Sequence, residues 1–371
     1  MKIGYDAKRA FLNNTGLGNY SRWVIKAMAQ HHPANEYFLY TPKVKKNSRL
    51  SFLSQFKNIK TITPVGKLIT AWWRSKGVVE DLLRDKVSVY HGLSHELPIG
   101  IKEAGIKAVV TIHDLIFMHF PDQFGWIDRN IYFLKVKKSC AVADKIIAIS
   151  KQTKADLVKL LDVHPSKIAV VYQGCDPSFS IVQTDEQKKT VAAKYSLPEK
   201  FILNVGTIEE RKNLMLVAKA MPHIISDITL VVVGKHKKYY KQVHQFLKEN
   251  NLKHKAFFLD KVDFEDLPAI YQMAALFIYP SRYEGFGIPV LEALNCGTPV
   301  IAAKGSCLEE AGGPGSIYVG TDDEQELALQ VNKVLTDEKL REKMIEEGFK
   351  HVKIFDDAKL AEQLNKIYQH A

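Results

Sequence analysis

Residues 275–302 read ALFIYPSRYEGFGIPVLEALNCGTPVIA, and the fold is read outward from them. The run Leu276–Tyr279 is apolar without a polar break, as a strand covered on both faces would be. Pro280 stops it, and residues 281–287 form a polar, glycine-bearing loop. A helix is predicted from about Ile288, with Pro289 in the first turn, where a missing N–H costs little. Leu291, Ala293 and Leu294 pack its inner face, Gly297 ends it, and Pro299-Val300-Ile301 begins the next strand. Strand, loop, helix and strand in that order predict an α/β chain.

Two carboxylates lie in this unit with seven residues between them, Glu284 in the loop and Glu292 in the first turns of the helix. Gly285 and Gly287 let bare backbone amides face a ligand at a helix N-terminus, which suits phosphate or sugar oxygens. Acids near a helix start also simply compensate its dipole. The string E-G-F-G-I-P-V-L-E-A, with P-S before it and G-T-P-V-I after it, resembles the paired-glutamate motif of retaining nucleotide-sugar glycosyltransferases of the family-four type. That resemblance implies the GT-B fold, two Rossmann-like domains facing a cleft.

The bulk properties agree with two soluble domains. A chain of 371 residues exceeds one ordinary core. Met1-Lys2 runs straight into a strand-like IGYDA, which predicts no secretory leader. No apolar run reaches a membrane-spanning length. Cys140, Cys175, Cys296 and Cys307 show no metal-type spacing and read as free thiols of a reducing cytosol. The net charge of +11 is uneven: residues 1–175 hold 27 Lys and Arg against 13 Asp and Glu, a balance of +14, while residues 176–371 balance to −3. The basic half expects an anionic partner or only solubility. No nucleic-acid motif accompanies it, so nucleic acid is not expected.

From the start, residues 2–7 read as a first strand, and in FLNNTGLGNYSRWVIKAMAQ, residues 11–30, Gly16 and Gly18 precede an amphipathic helix. That turn could hold a phosphate, although the full G-x-G-x-x-G is missing. In the resembled family a glycine loop here closes over donor diphosphate and acceptor, with Arg9 and Asn19 as candidate contributors. Residues 42–86 are basic and carry Trp72 and Trp73; one tryptophan is expected in the core. Strand-like residues 108–112 place His113 and Asp114 at a carboxyl edge, where open α/β sheets bind ligands. The string T-I-H-D-L is similar to the bacterial mannosyltransferase-like members, which implies His113 near the donor sugar, oriented by Asp114. In GTIEERKNLMLVAKAM, residues 206–221, Arg211 and Lys212 stand between a strand and a helix predicted near Asn213, suited to a diphosphate. The string G-T-x-E-x-R-K-N-L is again similar to the family's.

The expected organisation is an acceptor-binding domain over residues 1–175, a nucleotide-sugar domain over 176–353, and a terminal helix, 354–371, returning to the first. The resemblance implies catalytic roles for His113, Arg211, Lys212 and Glu284. It sets Gly16, Gly18, Gly206, Glu284, Gly285, Phe286, Gly287, Ile288 and Glu292 against the donor. The expected reaction moves a hexose, by preference mannose from GDP-mannose, to a glycan or lipid-linked acceptor, with a UDP-sugar as the alternative. A phosphorylase-like enzyme, a nucleotide-sugar epimerase and a sugar-nucleotide sensor share the fold as rivals. No D-x-D stands at a strand end, so no metal and no cofactor is expected. The chain is expected in the cytoplasm, peripheral on an anionic membrane face through Lys43, Lys45, Lys46, Arg74 and Lys76.

Overall fold

The computed structural model describes residues 1–45, 47–64, 70–225 and 227–371. The chain divides into two units, Met1–Gly174 with Phe355–Ala371, and Cys175–Ile354. In the first unit seven strands form one parallel sheet: β1 Lys2–Asp6, β2 Glu36–Tyr40, β3 Ile59–Ile62, β4 Val89–Gly92, β5 Lys107–Ile112, β6 Lys145–Ala148 and β7 Ile168–Val170. Their order is β3-β2-β1-β4-β5-β6-β7, so the chain builds outward from β1, then reverses at β4 and builds the other way. Val89–Gly92 is buried throughout, which explains an apolar run interrupted only by groups that find partners inside. One apolar cluster gathers around Val110, Ile112 and Ile146, another around Tyr40, Leu82 and Tyr90.

The helix Asp357–His370 completes this unit through polar contacts deep in its core. Tyr368 is fully buried, with its hydroxyl 2.7 Å from His91 Nδ1. Trp23 Nε1 donates to Asp357 (2.6 Å), and Asn35 donates to Asn365 (3.2 Å). Asp356 caps the helix by accepting from the Lys359 amide. Of the two tryptophans, Trp73 is buried and donates to Asp81 (2.7 Å), while Trp72 is exposed.

The second unit holds six parallel strands: β8 Phe201–Val205, β9 Thr229–Val233, β10 Ala256–Leu259, β11 Leu276–Tyr279, β12 Val300–Ala303 and β13 Ile317–Val319. Their order, β10-β9-β8-β11-β12-β13, reverses between β8 and β11. Every residue of β11 is buried, and Ile202, Leu230, Val232, Ile278 and Ile301 share one core. The helix Ile288–Asn295 opens with Pro289 near its start and is closed by Gly297 at φ +72°, as the sequence predicts. The helix predicted near Asn213 starts there, after a short turn. Glu210–Lys212 form a single tight turn, Asn213 sits left-handed at φ +57°, and the helix begins at Leu214. Asn213 tolerates that conformation because its side chain donates to the Thr321 carbonyl (2.8 Å).

Candidate active site

The reversal between β8 and β11 is where the second unit gathers charge. The Glu210–Lys212 turn follows β8 and the glycine loop follows β11, so neighbouring strands deliver Arg211, Lys212 and Glu284 to one carboxyl edge. Lys212 Nζ lies 2.6 Å and Arg211 Nη1 2.8 Å from the same oxygen, Glu284 Oε1. Ser281 donates to it at 2.6 Å and the Tyr279 hydroxyl at 3.1 Å. Burial alone would raise the Glu284 carboxyl, but Lys212 and Arg211 outweigh it and hold the pKa at about 2. Arg211 also donates to the Tyr283 carbonyl and pairs with Glu209 (2.7 Å), which Lys237 meets from outside (2.6 Å). Three cations thus face two carboxylates, and the cluster keeps a positive balance. Lys212 carries three donors, of which Glu284 and Tyr279 take two.

Glu284 has side-chain partners beyond the loop amides considered from the sequence. Its Oε1 is taken up by the very cations expected to meet a diphosphate, so the two motifs form one ion-pair cluster. Glu292 stands a turn into the helix Ile288–Asn295, as the sequence indicates. It lies past the first turn, buried, and accepts from the Tyr271 hydroxyl at 2.9 Å. Gly287 caps its helix at φ +119°, a conformation that a side chain rarely adopts, and a Cβ there would stand 2.7 Å from Leu308. Phe286 is buried in the core, which leaves its backbone as its polar part; Gly285 is buried and Ile288 half-buried. Gly206 ends β8 beside Lys212, whose Cε would lie 3.7 Å from a Cβ at that glycine.

In the first unit His113 stands just past β5, buried. Its Nε2 lies 2.9 Å from the Leu93 carbonyl, which makes Nε2 the protonated nitrogen. Tyr20 meets the ring edge-on at 4.6 Å and His95 stacks on it at 5.3 Å. Burial, then His95, lowers the His113 pKa to about 3. The Leu93 carbonyl therefore sets the ring, whereas Asp114 acts through its charge and accepts from the Ile116 amide (3.1 Å). Tyr20 belongs to the helix Gly16–His31, so that helix and His113 share one edge. A Cβ at Gly18 would clash with the Asn13 carbonyl at 1.9 Å, while Gly16 faces open space. Gly18 is a packing glycine. Gly16 is the one with room for a ligand. Arg22 fixes the turn by donating to the Ala10 and Asn13 carbonyls, each at 2.8 Å.

Arg74 is withdrawn from the basic surface. It pairs with Asp6 and Glu96, each at 2.7 Å, and its side chain is mostly buried. Lys46 lies outside the described residues. Sequence reasoning missed Tyr279, Ser281 and Glu209 around Glu284, and Tyr271 beside Glu292. Tyr279 gives no signal, since its ring completes an apolar strand and only its hydroxyl enters the site.

One expected outcome follows from the ion pairs. The folded-state pKa of Glu284 lies below its unfolded value, so its contribution is present above about pH 4.5 and lost as pH falls toward about 2. Glu284→Gln should be less stable than wild type by about 3 kcal/mol near neutrality, with the gap closing by about pH 2. Chemical denaturation across that range measures it. A constant gap would contradict the ion-pair assignment.

Residues 185–351 match the family described as Glycosyl transferases group 1, and residues 22–179 match Glycosyltransferase Family 4. O-antigen chain mannosyltransferase B of Escherichia coli is 26% identical over 96% of this chain and 96% of its own length. O-antigen chain mannosyltransferase RfbU of Salmonella typhimurium is 29% identical over 58% of this chain and 57% of its own. The crystal structure of Anabaena HepE in complex with UDP and glucose superposes with a TM-score of 0.75 at 17% identity, covering 100% of both chains. With both halves matched in order, the chain belongs to the family-four glycosyltransferases and has the GT-B type of fold.

Proposed function

We propose that the protein transfers a hexose with retention of configuration, by preference mannose from GDP-mannose, to a glycan or lipid-linked acceptor in surface polysaccharide synthesis. The observation that carries this reading is the convergence of Arg211, Lys212 and Glu284 at the strand reversal of the second unit. The mannose preference rests on the mannosyltransferase relatives. A UDP-sugar is the second reading, favoured by the UDP of the HepE structure.

The donor diphosphate meets Lys212 through its uncommitted N–H, and sharing that ammonium loosens its hold on Glu284. Glu284 then accepts from sugar hydroxyls while Ser281 and Tyr279 keep it in place. As the bond from the anomeric carbon to the diphosphate oxygen breaks, Arg211 and Lys212 stabilise the growing negative charge, a contribution that is often the largest in such reactions. The acceptor hydroxyl attacks the same face, and its proton passes to the departing diphosphate oxygen. Glu292 takes the ribose. The direct test is transfer from GDP-mannose to a lipid-linked glycan in excess EDTA, with the new linkage read by NMR. An α-linked product is expected from the α-linked donor. A β-linkage, or loss of activity restored by magnesium or manganese, would overturn the mechanism.

The second part of the proposal is a site of work at the cytoplasmic membrane face. On this proposal the contact lies on the helix Trp126–Val142 rather than at the lysines expected from the sequence. That helix anchors itself through Val136, Ser139 and Cys140 and leaves Trp126, Ile127 and Leu134 exposed by 73%, 66% and 63%. At 100° per residue these three share one side with Lys137 and Lys138, a pattern suited to an anionic bilayer. Trp126→Ala with Leu134→Asp should cut co-sedimentation with phosphatidylglycerol vesicles at least tenfold, and Lys43→Ala should change it little. Binding indifferent to vesicle charge, or unaffected by the double substitution, would mean that the face only aids solubility.

A further inference from the structure

The helix Asp357–His370 reaches toward His113 through a chain of hydrogen bonds buried inside the first unit. Tyr5 faces His91 in the β1–β4 register, and His91 faces Val109 in the β4–β5 register. Side chains alternate along a strand, so Thr111, two residues past Val109, lies on the same sheet face as Tyr5 and His91. The helices Asp357–His370 and Gly16–His31 each add one tyrosine there, Tyr368 and Tyr20. All five side chains are buried.

Their polar atoms form one line. Tyr5 donates to the Tyr368 hydroxyl at 3.4 Å, and that hydroxyl lies 2.7 Å from His91 Nδ1. His91 Nε2 is 2.7 Å from Thr111 Oγ1, which is 2.9 Å from the Tyr20 hydroxyl. A hydroxyl has one proton to give, and a neutral imidazole has one donor and one acceptor. Tyr5 gives its proton to Tyr368, so Tyr368 gives its own to His91 Nδ1. His91 then donates from Nε2 to Thr111, and Thr111 donates to Tyr20. Such a buried chain holds only while each member is satisfied, and removing one hydroxyl strands its neighbour.

The chain ends beside His113. Tyr20 meets the His113 ring edge-on, with centroids 4.6 Å apart and planes at 88°. His95 covers a face of the ring at 5.3 Å, and the Leu93 carbonyl accepts from Nε2 at 2.9 Å. The Thr111 bond fixes where the Tyr20 edge sits, and misplacing a reacting group by about 1 Å can cost about 10²-fold in rate.

We propose that Tyr20 is a positioning residue for His113, held from the terminal helix through Tyr368, His91 and Thr111. Its effect on turnover rests on the transferase reading above, whereas its effect on the His113 ring does not.

The experiment records the ¹⁵N-histidine spectrum of the full chain, with His113→Gln assigning the resonances, beside steady-state kinetics and thermal unfolding. Tyr368→Phe and Thr111→Val should each shift the His113 resonances and lower kcat about tenfold, with the donor KM within about twofold. Thr111→Ser, which keeps the hydroxyl, should restore both. Tyr20→Phe combined with Tyr368→Phe should be no worse than Tyr20→Phe alone, because a chain once broken is not broken again. Asn365→Ala removes the terminal helix's bond to Asn35 and lies off the chain. It should lower Tm and leave the His113 resonances in place. The proposal is overturned by unmoved His113 resonances in Tyr368→Phe or Thr111→Val, or by additive losses in the double variant. Asn365→Ala shifting His113 as much as Tyr368→Phe would also overturn it, by assigning the effect to docking of the helix. If Tyr368→Phe does not fold, the Thr111 pair carries the same test, since both of those variants keep the Tyr368 hydroxyl. A wild type that transfers no hexose would contradict the transferase reading, and the His113 spectrum would still decide the chain.

Discussion

Lys212→Ala is expected to lower kcat for hexosyl transfer by about 10²–10³-fold, the usual effect of removing one preorganised donor from a developing negative charge. The fold should persist, since among the described residues the Lys212 ammonium meets Tyr279 and Glu284, and Glu284 keeps Arg211 at 2.8 Å and Ser281 at 2.6 Å. Arg211→Ala should behave differently. Arg211 is buried and ties the Tyr283 carbonyl, Glu284 and Glu209 together, so its removal leaves buried carboxylates short of a partner. Breaking such a pair costs about 3–5 kcal/mol, and the activity loss should come with a lowered Tm. Steady-state kinetics beside thermal unfolding separates the two variants. Lys212→Ala turning over within twofold of wild type would remove the lysine from the chemistry.

The second expectation concerns acid. His91 and His113 are buried, and burial pushes each pKa down to about 3, with a neighbouring histidine adding to the effect. The sign is fixed by the unfolded chain, which takes up protons near about pH 6.5 while the folded imidazoles stay neutral. Stability is full above about pH 6.5 and is lost as pH falls toward about 3. At about pH 5 each ring costs about 2 kcal/mol relative to about pH 8, so the pair removes about 4 kcal/mol. That is a large share of a typical domain's stability of about 5–15 kcal/mol. Hydrogen exchange should show β4 and β5 opening first, because His91 lies in β4 and its Nε2 is 2.7 Å from Thr111 of β5. Equal protection of those strands at the two pH values would contradict the neutral, buried assignment.

Much of this was legible in the chain because its signals are local. Pro280, Gly287, Pro289 and Gly297 punctuate a strand–loop–helix unit by their own backbone chemistry, and the structure places its strand and helix where they indicate. Arg211 and Lys212 were found because two cations beside a strand end are unusual in sequence. What stayed hidden depends on long-range contact. Glu284 is the partner of Lys212 across 72 positions, so the two motifs looked separate until the sheet joined β8 to β11. Arg74 beside two tryptophans looked like an interfacial cation, yet Asp6, 68 positions away, draws it inward. The orientation of His113 rests on the carbonyl of Leu93, and a backbone carbonyl has no sequence signature. The left-handed backbone of Asn213 has no such signal either, since it rests on a side-chain bond to the distant Thr321 carbonyl.

The central claim, that the Arg211–Lys212–Glu284 cluster holds a nucleotide-sugar diphosphate, is tested most directly by thermal unfolding with a panel of nucleotide sugars, run on wild type and Lys212→Ala. A donor at 100 times its Kd stabilises the folded chain by about 2.7 kcal/mol. The account predicts that stabilisation for wild type with GDP-mannose, or with a UDP-sugar on the second reading. It predicts little or none for Lys212→Ala at the same concentration. No response to any nucleotide sugar, or equal stabilisation of both proteins, would contradict it.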